Sequence, residues 1–183
     1  MIRTLLYALG GLLLGLLIHL VVILALPLLA QDSVVQRIAA VTPAINAPVL
    51  LADQTSGQPN PLRLDPELAY AVCRIDLSKG PGEIVATLPV SFWSVAVYDR
   101  SGAVIYSTTN RDGIGQNLDL GIFDPAQTRL LAEQKIDVGA GLLIVEAKTD
   151  DIFVLVRLHP PETAVRARYE DALRKLDCRT IKI

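Results

Sequence analysis

Residues 89–106, PVSFWSVAVYDRSGAVIY, decide the fold because they have the pattern of two β-strands joined by a tight turn. Two sets of residues alternate over 93–98, WSVAVY, and a period of two puts each set on one face of a sheet. The set expected to face the core is Trp93, Val95 and Val97. Residues 99–102 supply the turn, since Gly102 accepts a positive φ without steric cost.

A hairpin this apolar needs further strands around it, and the rest of the chain provides them. Apolar runs bounded by turn residues predict strands at 71–77, 83–88, 118–122, 142–147 and 152–158. We expect the opening hairpin to form a central ladder, flanked by the strands at 83–88 and 117–122. The runs at 142–147 and 152–158 are expected to form the last hairpin, turning at residues 149–151. Both runs are apolar at nearly every position, which is typical of strands covered on both faces.

The number and spacing of these runs indicate the fold class. About seven short strands with turns every 8–12 residues are typical of an antiparallel β-sandwich or an open barrel. Parallel α/β architecture is disfavoured because most connections are too short for a crossover. The sequence therefore predicts a mainly β domain with short helices at its edges.

Proline-containing signals predict where two of these short helices begin. Asp65–Pro66 and Asp124–Pro125 each place an N-cap residue before a proline at the first helical position. The second signal predicts a helix over residues 126–135, with Leu130 and Leu131 facing inward.

Residues 162–176 are predicted to form a C-terminal amphipathic helix. Its apolar stripe consists of Val165, Tyr169, Ala172, Leu173 and Leu176. Acid-first pairs at a spacing of four, such as Glu170 with Arg174, support the helix. We interpret its basic residues as a solvated face, with docking to lipid headgroups or to a partner as the alternative.

The composition of the 183-residue chain excludes several classes of function. A net charge of −2 offers no broad electrostatic surface for nucleic acid, so no nucleic-acid partner is expected. Two Cys and two His are too few for a metal-rich domain. The sequence has no GxSxG, Walker, HExxH or CxxC motif. We therefore predict no catalytic residue, no metal ligand and no cofactor.

The N-terminal segment has the pattern of a membrane anchor. Residues 4–30 carry no charged side chain and are long enough to span a bilayer. Arg3 precedes the segment, and the positive-inside rule then places the N-terminus in the cytoplasm. We expect an anchor with a helical extension over 1–40, a proline-rich linker or surface loop over 41–64, with one short edge strand at 47–52 as an option, and the β-domain over 65–183. The alternative is a signal peptide cleaved after Ala30.

Within the anchor, Gly11, Gly15 and His19 recur at a spacing of four and lie along one stripe of the helix. A GxxxG pair lets two helices approach closely, and a His within a membrane usually seeks a polar partner. The stripe predicts self-association or pairing with another membrane protein. The alternative is that glycine is common in spanning helices and that one neutral His is tolerated.

The two cysteines, Cys73 in the first predicted strand and Cys178 after the last helix, predict a disulfide. A domain outside the membrane is in an oxidising compartment, where such a pair persists. The bridge would close a loop of about 100 residues and hold the terminal helix to the sheet. The alternative is two unpaired thiols, one of them buried in the sheet.

Asn110, Arg111 and Asp112 form the one polar cluster near the central hairpin that suits a ligand. Asn, Asp and Gly are also the ordinary residues of turns, and the cluster is followed by Gly113. A ligand loop and plain turn chemistry are therefore both open.

Several of these residues resemble a known family. Tyr70 followed by Asp76-Leu77-Ser78 and Gly80-Pro81 is similar to the "Y…DLS.GP" pattern of DUF1254 proteins.

A second pattern concerns the opening hairpin. Residues 92–99, then Asn110-Arg111 and Ile114-Gly115, resemble the "FWS…YD…NR..IG" signature of the DUF1214 domain, and 153–160 resemble its closing strand. The resemblance covers residues 60–160 and is strongest to short, single-anchor bacterial membrane proteins. It implies a jelly-roll-like β-fold with membrane-tethered placement, and it implies no established activity. Together with the cytoplasmic N-terminus, this predicts a periplasmic domain tethered to the bacterial inner membrane.

Two functional hypotheses follow. The first is a non-enzymatic, membrane-anchored periplasmic domain that binds or assembles with other envelope proteins. The second is a small-molecule-binding or hydrolytic domain that uses a pocket within the β-sandwich. An open apolar cavity with convergent polar groups would favour the second hypothesis, and a filled core would favour the first.

Overall fold

The computed structural model describes residues 2–29, 34–51, 60–111, 115–133 and 141–181, and every number or absence below refers to these residues. The chain forms two compact units, Met1–Ser33 and Val34–Ile183.

The first unit is a single helix, α1 (Ile2–Leu29). Its segment Ile2–Leu26 has a mean hydropathy of 2.7 and is long and apolar enough to cross a membrane. A signal sequence near an N-terminus meets the same criterion, so both interpretations of this segment stand.

The second unit contains nine strands within the described part of the chain, arranged in two sheets. They are β1 (Pro48–Leu50), β2 (Ala69–Asp76), β3 (Gly82–Thr87), β4 (Trp93–Tyr98), β5 (Val104–Thr109), β6 (Asn117–Phe123), β7 (Leu143–Glu146), β8 (Asp151–Leu158) and β9 (Asp177–Thr180). One sheet has the order β1-β2-β8-β4-β5 and the other the order β7-β6-β3-β9. A mainly β domain is therefore confirmed, with one parallel pair, β6–β7, among antiparallel ones.

Three α-helices accompany the sheets: α2 (Val34–Val41), α3 (Pro125–Glu133) and α4 (Arg166–Arg174). Short 3-10 turns lie at Leu77–Lys79 and Thr163–Val165. No helix follows the Asp65–Pro66 signal, where the chain makes a turn instead.

The two sheets pack face to face over a filled core. The largest fully buried side chains come from both sheets and their connections: Trp93, Ile75, Leu77, Ile84, Leu88, Leu118, Leu120, Ile122, Ile152, Leu158, Leu173 and Val72. The expectation that Trp93, Val95 and Val97 face the core is confirmed, since all three are at most 1% exposed.

The predicted hairpin exists, but the prediction of which strands flank it is wrong. β4 pairs with β5 on one side and with β8 on the other. The strands expected to flank it, β3 and β6, pair with each other in the opposite sheet. The reason is that the connection 88–92 crosses from one sheet to the other. At its start the Leu88 N–H still donates to the carbonyl of Gln116, the residue before β6, and the chain then enters β4 in the other sheet.

The predicted last hairpin is also wrong. β7 runs parallel to β6, and the Ala147 N–H continues this ladder by donating to the Phe123 carbonyl. β8 lies instead between β2 and β4, antiparallel to both. The connection from β7 to β8 therefore crosses between the two sheets. Asp150, the last residue of this connection, accepts a hydrogen bond at 2.8 Å from the N–H of Leu77, the first residue after β2. Expected coverage of β8 on both faces is nevertheless confirmed by the burial of Phe153 and Val154.

Helix α3 begins where the sequence predicts it. The Asp124 carboxylate accepts hydrogen bonds from the N–H groups of Ala126 and Gln127, while the Gln127 side chain accepts from the Asp124 N–H. This reciprocal arrangement is a capping box. Of the two leucines expected to face inward, Leu131 is half-buried, whereas the prediction is wrong for Leu130, which is 46% exposed.

The C-terminal segment keeps its predicted apolar stripe, with Tyr169, Leu173 and Leu176 buried. Its regular helix is shorter than expected, and the unpredicted strand β9 follows and pairs with β3. Arg166 of α4 donates to the carbonyls of Pro66 and Leu68 at 2.7 and 3.0 Å, which ties this helix to the segment before β2.

The disulfide between Cys73 and Cys178 is confirmed. Cys73 lies in β2 of the five-stranded sheet and Cys178 in β9 of the other. The bridge therefore joins the two sheets, where the sequence led us to expect a link from the terminal helix to one sheet.

Part of the range predicted as a linker, 41–64, lies on the domain. It contains β1, the edge strand that the sequence left as an option, and Pro48 of β1 is opposite Cys73 of β2. Leu62 and Leu64 pack on the outer face of the five-stranded sheet.

Candidate functional site

The residues predicted as sites from the sequence lie on separate elements of the chain. Gly11, Gly15 and His19 lie on α1, and a Cβ atom built at either glycine meets no other atom within 4 Å. Asn110 and Arg111 follow β5, whereas Asp112 lies outside the described residues.

At the predicted ligand loop, the Asn110 N–H donates to the Trp93 carbonyl at 3.2 Å. Its side-chain Oδ1 is buried without a hydrogen-bond partner among the described residues. The Arg111 N–H donates to the Thr109 Oγ1 at 3.3 Å. These contacts are those of a turn, and neither residue lines the cavity described next.

A cavity of about 350 Å³ lies on the outer face of the five-stranded sheet, away from the filled core. Its walls are mostly apolar with a few polar side chains: Ile38, Leu51, Leu62, Arg63, Leu64, Tyr70, Tyr98, Gly102, Leu155 and Arg157. A concave apolar site with a small number of polar groups is the usual form of a small-molecule site.

The strand register explains the floor of the cavity. In the pairing of β2, β8 and β4, Tyr70 is opposite Arg157, which is opposite Ser94. Directly opposite side chains on one face of a sheet have Cβ atoms about 4.5–5.5 Å apart. Tyr70 and Arg157 are therefore neighbours on the outer face. Leu155, two residues before Arg157 in β8, lies on the same face.

Helix α2 and the segment 60–64 form the cover of the cavity. Ile38 of α2 packs with Leu62 and Leu64 into a second apolar cluster on the outer face of the sheet. The Arg37 Nη1 donates to the Pro61 carbonyl at 2.9 Å, which links the two parts of the cover.

The segment 60–64 has a fixed conformation. The Asn60 side chain accepts from the Leu64 N–H at 2.8 Å and donates to the Leu64 carbonyl at 2.7 Å. Within this clamp Arg63 has a φ of 52°, a left-handed conformation that non-glycine residues seldom adopt. Such backbone persists only where its surroundings hold it, and it often occurs at ligand sites.

Arg157 carries an unsatisfied donor in the floor. Its Nε is buried and has no hydrogen-bond partner among the described residues. Leaving a buried donor unpaired costs on the order of 1–3 kcal/mol, and more when the group is charged. The same strand system holds Arg74, whose guanidinium is paired with a carboxylate and provides a comparison.

Arg74 donates to both carboxylate oxygens of Asp151, at 2.8 and 2.9 Å. Its guanidinium carbon lies 5.4 Å from the centre of the Phe153 ring. The hydrogen bond with Asp151 raises the pKa of Arg74. The role of Arg74 is therefore structural, whereas Arg157 presents a cation without a counter-charge among the described ion pairs.

Tyr70 is the other polar group of the floor. Its hydroxyl oxygen accepts a hydrogen bond from the Asp65 N–H at 3.0 Å. Burial raises the pKa of the phenol, and the negative charge of the Asp65 carboxylate adds to the shift. The hydrogen bond from the Asp65 N–H and the positive charges of Arg157 and Arg166 oppose it. The hydroxyl therefore stays protonated at neutral pH and can donate its proton.

Tyr70 was identified from the sequence only as part of a motif, and Arg157 was not singled out. One signal was present: Arg157 is the single charged residue in FVLVRL, residues 153–158. A lone charge within a strand covered on both faces has to find a partner or a ligand. The cover could not be inferred, because residues far apart in the chain form it.

A β-sandwich with an open pocket on one outer face is thus the class of protein that the fold and site define. Within that class, residues 45–175 match the family model described as "Protein of unknown function (DUF1254)". The chain belongs to the DUF1254 family. No curated protein matches it.

Solved structures share the fold, among them the following two. One is the VPA0106 protein from Vibrio parahaemolyticus, with 8% identity, a TM-score of 0.56, and coverage of 81% of this chain and 34% of that chain. The other is an uncharacterised protein from Burkholderia cenocepacia, with 12% identity, a TM-score of 0.52, and coverage of 81% and 38%. This chain thus spans little more than a third of the length of either protein. At these identities the likeness concerns the fold alone.

Proposed function

We propose that the chain is a non-enzymatic binding domain tethered to the bacterial inner membrane, with its ligand site in the cavity on the outer face of the five-stranded sheet. The observation that carries the proposal is the cavity itself, about 350 Å³ in volume and walled largely by aliphatic and aromatic side chains. Apolar surface left open to water favours an apolar ligand, because covering it releases free energy in proportion to area.

The proposed location combines two observations. The helix Ile2–Leu26 is long and apolar enough to be the tether. The disulfide between Cys73 and Cys178 is of the kind that persists in an oxidising compartment such as the periplasm. With Arg3 on the cytoplasmic side, the β-domain would face the periplasm. An alkaline phosphatase fusion to the C-terminus should be active, and an inactive fusion would contradict this topology.

Binding is favoured over hydrolysis by the chemistry of the walls. The described lining residues include no Ser, Cys, His, Asp or Glu. A hydrolytic site needs a nucleophile within hydrogen-bond reach of a base. The cavity also differs in place from the pocket expected from the sequence, since it lies outside the sandwich and the space between the sheets is filled.

Assembly through the helix remains a separate prediction. Gly11, Gly15 and His19 would mediate self-association or pairing with another membrane protein, in line with the short, single-anchor type that the sequence resembles. Replacing both glycines by Leu and measuring self-association in membranes tests it. Unchanged association would show that the two glycines do not mediate it.

The binding proposal is tested by photolabelling the full chain in phosphatidylcholine nanodiscs with a neutral aliphatic alcohol that carries a diazirine. Mass spectrometry should find adducts in residues 60–64 and 151–158. Leu155→Trp fills the floor and Leu62→Trp fills the cover, so each should abolish these adducts. Leu130→Trp, on the exposed side of α3, is the matched control and should leave them unchanged.

Circular dichroism and the intact disulfide verify the fold of each variant. Adducts that persist in both cavity-filling variants, or adducts confined to other parts of the domain, would refute the proposal.

A further inference from the structure

We propose that the ligand of this cavity is a single-chain amphiphile with an anionic head group, held with its head at Arg157 and Tyr70 and its aliphatic chain between the sheet and the cover. The inference rests on the proposed function and names the chemical class of its ligand.

The first step concerns charge. Two arginines, Arg63 and Arg157, line the cavity, and the described lining includes no acidic residue. Neither arginine takes part in any of the described ion pairs, whereas Arg74 two rows away on the same face is paired with Asp151. A positively charged wall in a mostly apolar pocket favours an anion over a neutral or cationic group.

The second step concerns the donors that an anion would meet. The Arg157 Nε is buried without a partner, so its N–H is available. The Tyr70 hydroxyl accepts from the Asp65 N–H, which leaves its own proton free of any acceptor among the described residues. These two donors are cross-strand neighbours, an arrangement that suits the two oxygens of a carboxylate.

The third step concerns the rest of the ligand. Leu51, Leu62, Leu64, Ile38 and Leu155 provide aliphatic walls away from the polar end. A volume of about 350 Å³ is near the lower end of the range for small-molecule sites, about 300–1,000 Å³. One alkyl chain with a compact head suits this volume better than a two-chain phospholipid.

The experiment is a competition against the neutral diazirine alcohol, with the full chain in phosphatidylcholine nanodiscs. Dodecanoate and dodecanol have the same chain and differ in the head group. We expect dodecanoate to displace the label at roughly 10- to 100-fold lower concentration than dodecanol, since hydrogen bonds to charged groups contribute that much to affinity.

Arg157→Gln should reduce the preference for the acid about tenfold or more, and Tyr70→Phe should reduce it by a smaller factor. Arg129→Gln, which removes a charge from the exposed surface of α3, is the matched control and should keep the preference. Partition of each competitor into the bilayer is the same for every variant, so comparing variants cancels it.

The outcomes separate this inference from the proposed function. Equal displacement by acid and alcohol, or a preference that Arg157→Gln does not change, overturns the anionic class while apolar binding stands. Displacement by neither compound overturns both. Loss of the label when phosphatidylglycerol replaces phosphatidylcholine in the nanodisc would identify a bilayer headgroup as the anion and overturn the single-chain ligand.

Discussion

Cys73 and Cys178 join the two sheets of the sandwich across 105 residues of sequence, with their Cα atoms 6.2 Å apart. Cys73 is fully buried and Cys178 nearly so. The bridge links β2, an inner strand of one sheet, to β9, at the edge of the other. It therefore fixes the strand that the C-terminal segment contributes.

We expect the double variant Cys73→Ala/Cys178→Ala to be strongly destabilised. In chain-entropy estimates a loop of this length contributes about 4–5 kcal/mol, because the bridge restricts the unfolded chain. The corresponding fall in Tm is on the order of 10 °C for a chain of this size. Thermal unfolding followed by circular dichroism measures it, and the wild-type chain under reducing conditions should behave in the same way. An unchanged Tm in both samples would contradict the prediction.

Two adjacent aromatic residues should respond very differently to truncation. Trp93 is 1% exposed in the core, whereas Phe92 is 46% exposed. Trp93→Ala should cost about 3–5 kcal/mol, since it removes buried surface and leaves a cavity. Phe92→Ala should cost less than about 1 kcal/mol. Urea unfolding of both variants provides the comparison, and similar losses would show that the core is not centred on Trp93.

Gly80 is expected to be intolerant of any side chain. Its φ is 137°, and an added Cβ would lie 2.1 Å from the backbone carbonyl oxygen of Ile181. Gly80→Ala should therefore displace the end of β9 and speed hydrogen exchange at the Ile181 N–H, which bonds to the Pro81 carbonyl at 2.8 Å.

Gly115→Ala is the control for this prediction. Gly115 also has a positive φ, 67°, but an added Cβ meets no atom within 4 Å. Backbone strain alone costs about 1–2 kcal/mol, so Gly80→Ala should be clearly more destabilising. Equal losses of stability in the two variants would show that the positive φ, and not the close contact with Ile181, accounts for the whole effect.

The turn of the β4–β5 hairpin should make stability depend on acid pH. The Asp99 carboxylate accepts from the Ser101 hydroxyl at 2.6 Å and from the N–H groups of Ser101 and Ala103 at 2.8 and 3.0 Å. The Ser101 hydroxyl is the largest cause of a lowered Asp99 pKa, and the backbone donors add to it. A lowered pKa in the folded state means that the unfolded state binds the proton more readily.

The stability from Asp99 is thus fully present above the unfolded pKa of about 3.9 and is lost as pH falls through the lower folded value. We expect Tm of the wild-type chain to fall below about pH 4, and Asp99→Asn to fall less steeply. Ser101→Ala should raise the pKa of Asp99 toward its usual range. Parallel pH profiles for wild type and Asp99→Asn would remove Asp99 as a source of the dependence.

The individual strands could be predicted from the sequence, but their partners could not. Alternation over residues 93–98 and continuous apolar runs are local signals, and they located most strands. Pairing is not local: β7 and β8 are separated by four residues and yet belong to different sheets. The polar strand β9, DCRT, gave no signal because its position depends on β3 and on the disulfide.

The candidate site could not be predicted from the sequence either, because the segments that form it are also far apart in the chain. Its floor comes from β2, β4 and β8, and its cover comes from α2 and from residues 60–64. No motif joins these segments in the sequence. The polar cluster at Asn110 and Arg111 was visible because its members are adjacent, but adjacency is also what a turn produces.

The position of β8 also determines when the domain can assemble during synthesis. β8 lies between β2 and β4, so the five-stranded sheet is in two separate parts until residues 151–158 have been made. The opposite sheet likewise receives β9 last, together with the second cysteine. Such late, long-range pairing is slow and leaves strand edges open. We therefore expect the nascent domain to stay unfolded through most of its translation.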